Sequence, residues 1–344
     1  MTFRLFWRHG GGTSSGSSRG ARDAHDRDAK AVGIVRTPRQ DQPLYNDAMK
    51  LTGVFAPLPT PFDAGGALDV ARLRAAIPAW VRSPLTGFVM LGTNGEAGLL
   101  SDDESDRVIG EARALVPRER TLIAGTARES TADAIAAAQR AAALGVDAVL
   151  VRTPCFFKGQ MNGAAFERHY RAIADQSPVP VLLYNFTAAT GVNLLPETVA
   201  SLGRHPNIVG IKESGSDIAQ MTDLVRLTPD GFRVLAGSAS TFHAALCTGV
   251  SGGILALSAL LPEACVRLFE LTRAGQIDEA RQLQQRLLPL ARLISTGHGV
   301  PGLKAALALK GIDVGHPRQP LAPASEQTIV ILKHALEAFE EVLV

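Results

Sequence analysis

The sequence predicts a (β/α)8 barrel with a C-terminal helical extension. Eight short apolar runs recur from residue 51 onward, amphipathic segments separate them, and most of the runs are continuous in apolar character. Continuous runs indicate strands buried on both faces, as in a parallel sheet covered by helices, and eight such units close naturally into a barrel.

The runs, in order, are residues 53–56, 87–91, 122–125, 148–151, 181–184, 208–211, 234–237 and 253–256. Helical patterns fall at 69–81, 102–115, 131–144 and 164–174. Ser101 followed by Asp102 and Asp103 reads as an N-cap with an acidic first turn. Helical segments at 262–273, 277–294, 301–310 and 325–342 follow the last run. One serves as the eighth barrel helix, and the others form the extension, which begins near residue 260. A doubly wound open sheet is the alternative fold, weakened because no GxGxxG turn follows the first strand.

The first 48 residues read differently from the body, residues 49–344. They carry Gly10-Gly11-Gly12, a Ser/Gly run and eight Lys/Arg against five Asp, so the tail is basic and the body near neutral. Such a segment cannot bury enough apolar area to offset its ordering entropy, and is expected to be a disordered tail. Met49 is the expected native start. The tail has neither the apolar stretch of a signal peptide nor the acid-poor composition of a transit peptide.

The 344 residues carry a net charge of +2, which excludes a strongly basic nucleic-acid binder. No apolar run reaches membrane-spanning length. Cys155, Cys247 and Cys265 form no paired framework, which points to a reducing, cytoplasmic setting. The histidines lack metal-ligand spacing, so no metal and no cofactor are expected.

In such a barrel, chemistry sits at the C-terminal ends of the strands. Lys212 ends the sixth run there. An ammonium at the edge of an apolar interior is costly, which favours the neutral amine that attacks a carbonyl. A lysine snorkelling to solvent is the plain structural alternative. Tyr184 is the only phenol at these strand ends and can relay a proton. Thr93 and Asn94, between Gly92 and Gly95, offer amides to a small carboxylate. Glu96 reads as a loop carboxylate held in hydrogen bonds, and Cys155 as a packed residue rather than a nucleophile.

Gly92-Thr93-Asn94-Gly95-Glu96, Tyr184-Asn185 and Ile208-Val209-Gly210-Ile211-Lys212-Glu213 together resemble the signatures of the dihydrodipicolinate synthase/N-acetylneuraminate lyase family, over essentially all of residues 51–344. The resemblance implies a class I aldolase in which Lys212 forms a Schiff base with a 2-oxo acid such as pyruvate, without a cofactor. Tyr184 and Thr93 would join it in catalysis. Thr93 and Asn94 would bind the carboxylate, with Gly237, Ser238 and Ile254 lining the pocket. A homotetramer is also implied.

Two positions depart from the synthase pattern. Ala189 stands where the synthase has an arginine for the second substrate's carboxylate, and Phe156 stands in place of a tyrosine donated across a subunit interface. Both are expected to border the substrate. Thr153-Pro154-Cys155, His205 to Gly210, Val234 to Ala239 and Gly299 to Lys304 are more similar to 4-hydroxy-2-oxoglutarate aldolase, implying cleavage to pyruvate and glyoxylate. The synthase, another 2-keto-3-deoxy acid aldolase, and a non-catalytic barrel that senses a 2-oxo acid are the alternatives.

Overall fold

The computed structural model describes residues 49–341; the tail expected over residues 1–48 lies outside them. Eight parallel strands form a closed barrel in sequence order. They are β1 (Gly53–Pro57), β2 (Gly87–Met90), β3 (Thr121–Gly125), β4 (Ala148–Arg152), β5 (Val181–Asn185), β6 (Ile208–Glu213), β7 (Arg233–Ala236) and β8 (Gly252–Ile254). All eight expected strands are present. β6 runs through Lys212 rather than stopping before it, and the last run breaks early because Ala256 already begins a helix.

The outer layer comprises α1 (Val70–Val81), α2 (Asp102–Leu115), α3 (Thr131–Ala143), α4 (Gly163–Gln176), the single turn α5 (Thr187–Thr190), α6 (Pro196–Leu202), α7 (Ile218–Leu227) and α8 (Phe242–Cys247). Beyond β8 come α9 (Ala256–Leu260), α10 (Pro262–Arg273), α11 (Ile277–Arg292), α12 (Gly299–Leu309) and α13 (Glu326–Glu341). The Ser101 cap is a full capping box: its Oγ accepts from the Glu104 amide, and Glu104 accepts from the Ser101 amide. The short α9 interrupts what the sequence suggests is a direct passage from the last strand to its helix. α10 packs against β1 and α8 and closes the helical ring.

Side chains alternate across each strand. Phe55, Val89, Ile123, Ala148, Leu150, Leu182, Tyr184, Leu235 and Ile254 share the barrel interior. Their neighbours Val54, Phe88, Leu122, Val149, Leu183 and Ile211 face the helices. This is the period of two expected for strands.

The C-terminal extension is anchored to the strand-end loops by charge. Lys304 on α12 is almost fully buried, pairs with Glu96 at 2.6 Å and donates to the carbonyls of Thr60 and His316 at 2.7 Å each. Burial pushes the Lys304 pKa down and Glu96 opposes that shift. Arg318 grips Glu104 bidentately at 2.6 and 2.7 Å, and its backbone N–H donates to Glu96.

Removing one partner of a buried pair leaves the other charge uncompensated. Lys304→Met is therefore expected to lose about 3–5 kcal/mol of unfolding free energy in urea. The double variant Lys304→Met/Glu96→Gln should lose less than the single one. The Arg318 hydrogen bonds hold the Glu104 carboxyl down to about 2 from 4.5. Its contribution is thus full above pH 4.5 and is lost as pH falls towards 2. Glu104→Gln should flatten the dependence of the urea midpoint on pH across that window.

Candidate active site

A cavity of about 650 Å³ opens at the C-terminal end of the barrel. Its walls come from the turn after β2 (Leu91 to Leu99), the ends of β4 and β5 (Arg152, Tyr184), the α5 turn (Ala189, Thr190) and the C-terminal extension (His298 to Pro301, Pro320, Leu321).

Two left-handed residues shape the first wall. Leu91 and Glu96 both have φ near +55°, a conformation that costs a non-glycine residue roughly 1–2 kcal/mol. Gly125 makes room for the bend, since a Cβ there would lie 1.9 Å from the Leu91 carbonyl oxygen. Within the turn the Gly95 amide donates to Gly92, the Glu96 amide donates to Thr93, and the Thr60 hydroxyl donates to the Gly95 carbonyl. The Thr93 and Asn94 amides donate to no acceptor among the described residues. Strain held at a strand end and two uncommitted amides are what a cradle for a small anion requires.

The Thr93 hydroxyl lies 3.0 Å from the Tyr184 hydroxyl. Lys212 is buried, with Nζ 4.3 Å from the centroid of the Tyr184 ring. The other face of the tyrosine layer meets Phe186, nearly parallel at 6.1 Å between ring centroids. The structure thus brings Lys212, Tyr184 and Thr93 together.

Their alignment follows from strand register. Tyr184 pairs with Lys212 and Asn185 with Glu213 across β5 and β6. On the outer face Asn185 Nδ2 donates to Glu213 at 2.7 Å, and the Gly215 amide and Gln220 also donate to that carboxylate. Burial pushes the Glu213 carboxyl above its ordinary range, against these hydrogen bonds. Asn185 Oδ1 accepts from the Leu194 amide and ties in the next loop. Sequence reading passed over Asn185 and Glu213 as site-building residues. The available signal was the polar residue that follows each inward-facing one, Tyr184-Asn185 and Lys212-Glu213.

Arg152 was also missed. The sequence places the end of the fourth strand at Val151, but β4 includes Arg152, which pairs with Tyr184. Ala148 and Leu150 face inward, so the alternation puts Arg152 on the inner face at the rim. Its Nη2 donates to Glu129 at 3.1 Å, and its Nη1 donates to the Thr153 carbonyl and contacts the Cys155 sulfur. Burial pushes the Glu129 carboxyl up, but the Phe156 and Cys155 amides and Arg152 outweigh it and hold it down.

The remaining candidates fall at varied distances from the cavity. Ala189 lines it. Phe156 lies outside it in this chain, 77% exposed with its amide donating to Glu129 at 2.9 Å, on the outer surface where a residue shared across a subunit interface would lie. Ile254 lies in the same interior cluster as Tyr184. Gly237 donates to the Glu213 carbonyl at 2.6 Å, and a Cβ there would meet the Ser214 hydroxyl at 2.0 Å, so only glycine fits. Asn94 and Ser238 are half-buried in their turns. Glu96 is the paired loop carboxylate described above. Cys155, read as simply packed, stands beside a guanidinium. Among the described residues no cluster of His, Cys, Asp and Glu is arranged to hold a metal ion, and no helix is long and apolar enough to cross a membrane.

Asn185→Ala would leave the buried Glu213 without its shortest side-chain donor. We expect a loss of about 1–3 kcal/mol in stability, and a broader distribution of Lys212 reactivity towards carbonyl reagents, followed by peptide mass spectrometry.

Residues 50–339 match the model of the "Dihydrodipicolinate synthetase family". A protein of Exiguobacterium sp. named 4-hydroxy-tetrahydrodipicolinate synthase is 38% identical over 292 residues, covering 85% of this chain and 99% of that one. The protein of the same name from Xanthomonas axonopodis pv. citri is 40% identical over 277 residues, 80% and 91% of the two chains. Among solved structures, a prophage protein of the dihydrodipicolinic acid synthase family from E. coli K12, crystallised in complex with pyruvate, superposes with a TM-score of 0.80 at 29% identity. That match covers 84% of this chain and 99% of its own.

Proposed function

The chain belongs to the dihydrodipicolinate synthetase family and is a carbon–carbon lyase of the Schiff-base type, and from that premise we propose that Lys212 is its imine-forming residue and pyruvate the half it holds covalently. The observation that supports this most directly is the joint placement of a buried amine, a phenol and a hydroxyl: Lys212 Nζ lies 4.3 Å from the Tyr184 ring centroid, and Tyr184 is hydrogen-bonded to Thr93.

The steps balance as follows. The neutral Lys212 amine adds to the C2 ketone, and loss of water gives an iminium. In the cleavage direction the C3–C4 bond breaks and its electron pair moves into the iminium, leaving an enamine. Tyr184 accepts the proton of the C4 hydroxyl as the aldehyde forms, then returns a proton to C3. Water hydrolyses the new iminium and frees pyruvate and Lys212. The Thr93 hydroxyl orients the phenol, and the Thr93 and Asn94 amides hold the 2-oxo acid carboxylate.

For the second reactant, the names of the relatives favour the condensation that makes 4-hydroxy-tetrahydrodipicolinate. A second reading, cleavage of 4-hydroxy-2-oxoglutarate to pyruvate and glyoxylate, is favoured by Ala189 on the cavity wall; Phe156 departs from the tyrosine of both patterns. The arginine and the tyrosine of the synthase pattern are both missing at these places.

Borohydride with pyruvate should add a stable mass to the peptide containing Lys212. Absence of that adduct in the wild-type protein would sink the mechanism. Lys212→Ala should abolish turnover, and Tyr184→Phe should lower kcat by about 10²–10⁴ while leaving the adduct. Assaying pyruvate with aspartate semialdehyde beside pyruvate release from 4-hydroxy-2-oxoglutarate decides between the two readings.

A further inference from the structure

The cavity has an unassigned cation. Among its lining residues Arg152 alone carries a guanidinium or ammonium, and the carboxylate of Glu96 is committed to Lys304. We infer that Arg152 is a specificity-determining residue that holds the carboxylate of the second reactant, so that the site is built for an aldehyde carrying its own carboxylate. The inference rests on the Lys212 reading and adds to it the chemical class of the partner.

Four observations support it. First, the register sets Arg152 of β4, Tyr184 of β5 and Lys212 of β6 in one layer of the barrel rim. Adjacent strands lie roughly 4.8 Å apart, so the Arg152 backbone is about 10 Å from that of Lys212, with the tyrosine between them. A small substrate anchored at Lys212 and passing Tyr184 would end within reach of an arginine side chain.

Second, the guanidinium is held but not saturated. Nη1 uses its donors on the Thr153 carbonyl and Cys155, and one Nη2 proton goes to Glu129. Nε–H and the second Nη2 proton have no acceptor among the described residues, and neither nitrogen is a fully buried orphan. Two guanidinium donors are therefore free for a carboxylate, which a planar guanidinium recognises well.

Third, Glu129 does not fully cancel the charge of Arg152. Its Oε2 already accepts from the Cys155 and Phe156 amides, so Arg152 meets only the Oε1 of that carboxylate. Fourth, the wall at α5 carries Ala189, which is uncharged. A carboxylated aldehyde entering this cavity therefore meets its cation on β4 and not on α5.

The test measures condensation of pyruvate with two carboxylated aldehydes, glyoxylate and aspartate semialdehyde, and with acetaldehyde and propanal. The wild-type enzyme should prefer the carboxylated pair. Arg152→Met should raise their KM on the order of 100-fold, leave the KM for pyruvate and borohydride labelling of Lys212 in place, and remove the preference. Arg152→Lys keeps the charge, loses the fork and should fall between; it stands in for Arg152→Met if that variant does not fold. A wild-type enzyme indifferent to the carboxylate, or variants that retain the preference, would overturn the proposal. Failure of pyruvate to label wild-type Lys212 would instead overturn the Schiff-base assignment.

Discussion

The candidate site depends on the register between β5 and β6. Because side chains alternate along a strand, one pairing fixes two faces at once. Asn185 opposite Glu213 locks the outer face through a 2.7 Å hydrogen bond, and the same register sets Tyr184 opposite Lys212 on the inner face. The ladder is not regular: a shift between Val181 and Leu182 adds a residue to β6 below this point. Without the shift, the parity of everything above it would invert, and Lys212 would face the helices. A buried carboxylate raised by desolvation is costly on its own, and its value is positional: it places a lysine beside a phenol in an apolar barrel.

The second constraint is the turn after β2. Two non-glycine residues in left-handed conformations would not persist in an isolated loop. Here they are held by the missing Cβ of Gly125, by the Thr60 hydroxyl, and by the buried Lys304–Glu96 pair from α12. The C-terminal extension therefore does more than cover the barrel. Through Lys304 and Arg318 it supports the turn that carries Thr93, and through His298 to Pro301 it walls the cavity. Folding of residues distant in sequence is thereby coupled to the geometry of the turn that carries Thr93 and Asn94.

These two constraints explain what the sequence could and could not reveal. The barrel was legible because eight continuous apolar runs need helices on their outside. Lys212, Tyr184 and Thr93 were legible because each interrupts or ends such a run with a group that has a chemical use. Asn185 and Glu213 were not, because polar residues at strand ends usually face solvent, and only the pairing shows that these two are buried against each other. Arg152 was overlooked for a related reason: ending the strand at Val151 hid the parity that turns the next residue inward. Phe156 sits on an exposed loop tethered by Glu129, where a residue shared across a subunit interface would lie.

The same physics separates a rigid part of the site from an adjustable one. Lys212 and Tyr184 sit on paired strands, where register leaves little freedom. The residues that would meet the second reactant sit at the rim and on the short α5 turn, where a substitution such as alanine for arginine disturbs no ladder. Arg152, at the inward-facing end of β4, is held there by Glu129 through a single Nη2 hydrogen bond. On the proposed chemistry both reactions of the second reactant use the same pyruvate–Lys212 imine, so the choice between them falls to the side chains of this rim.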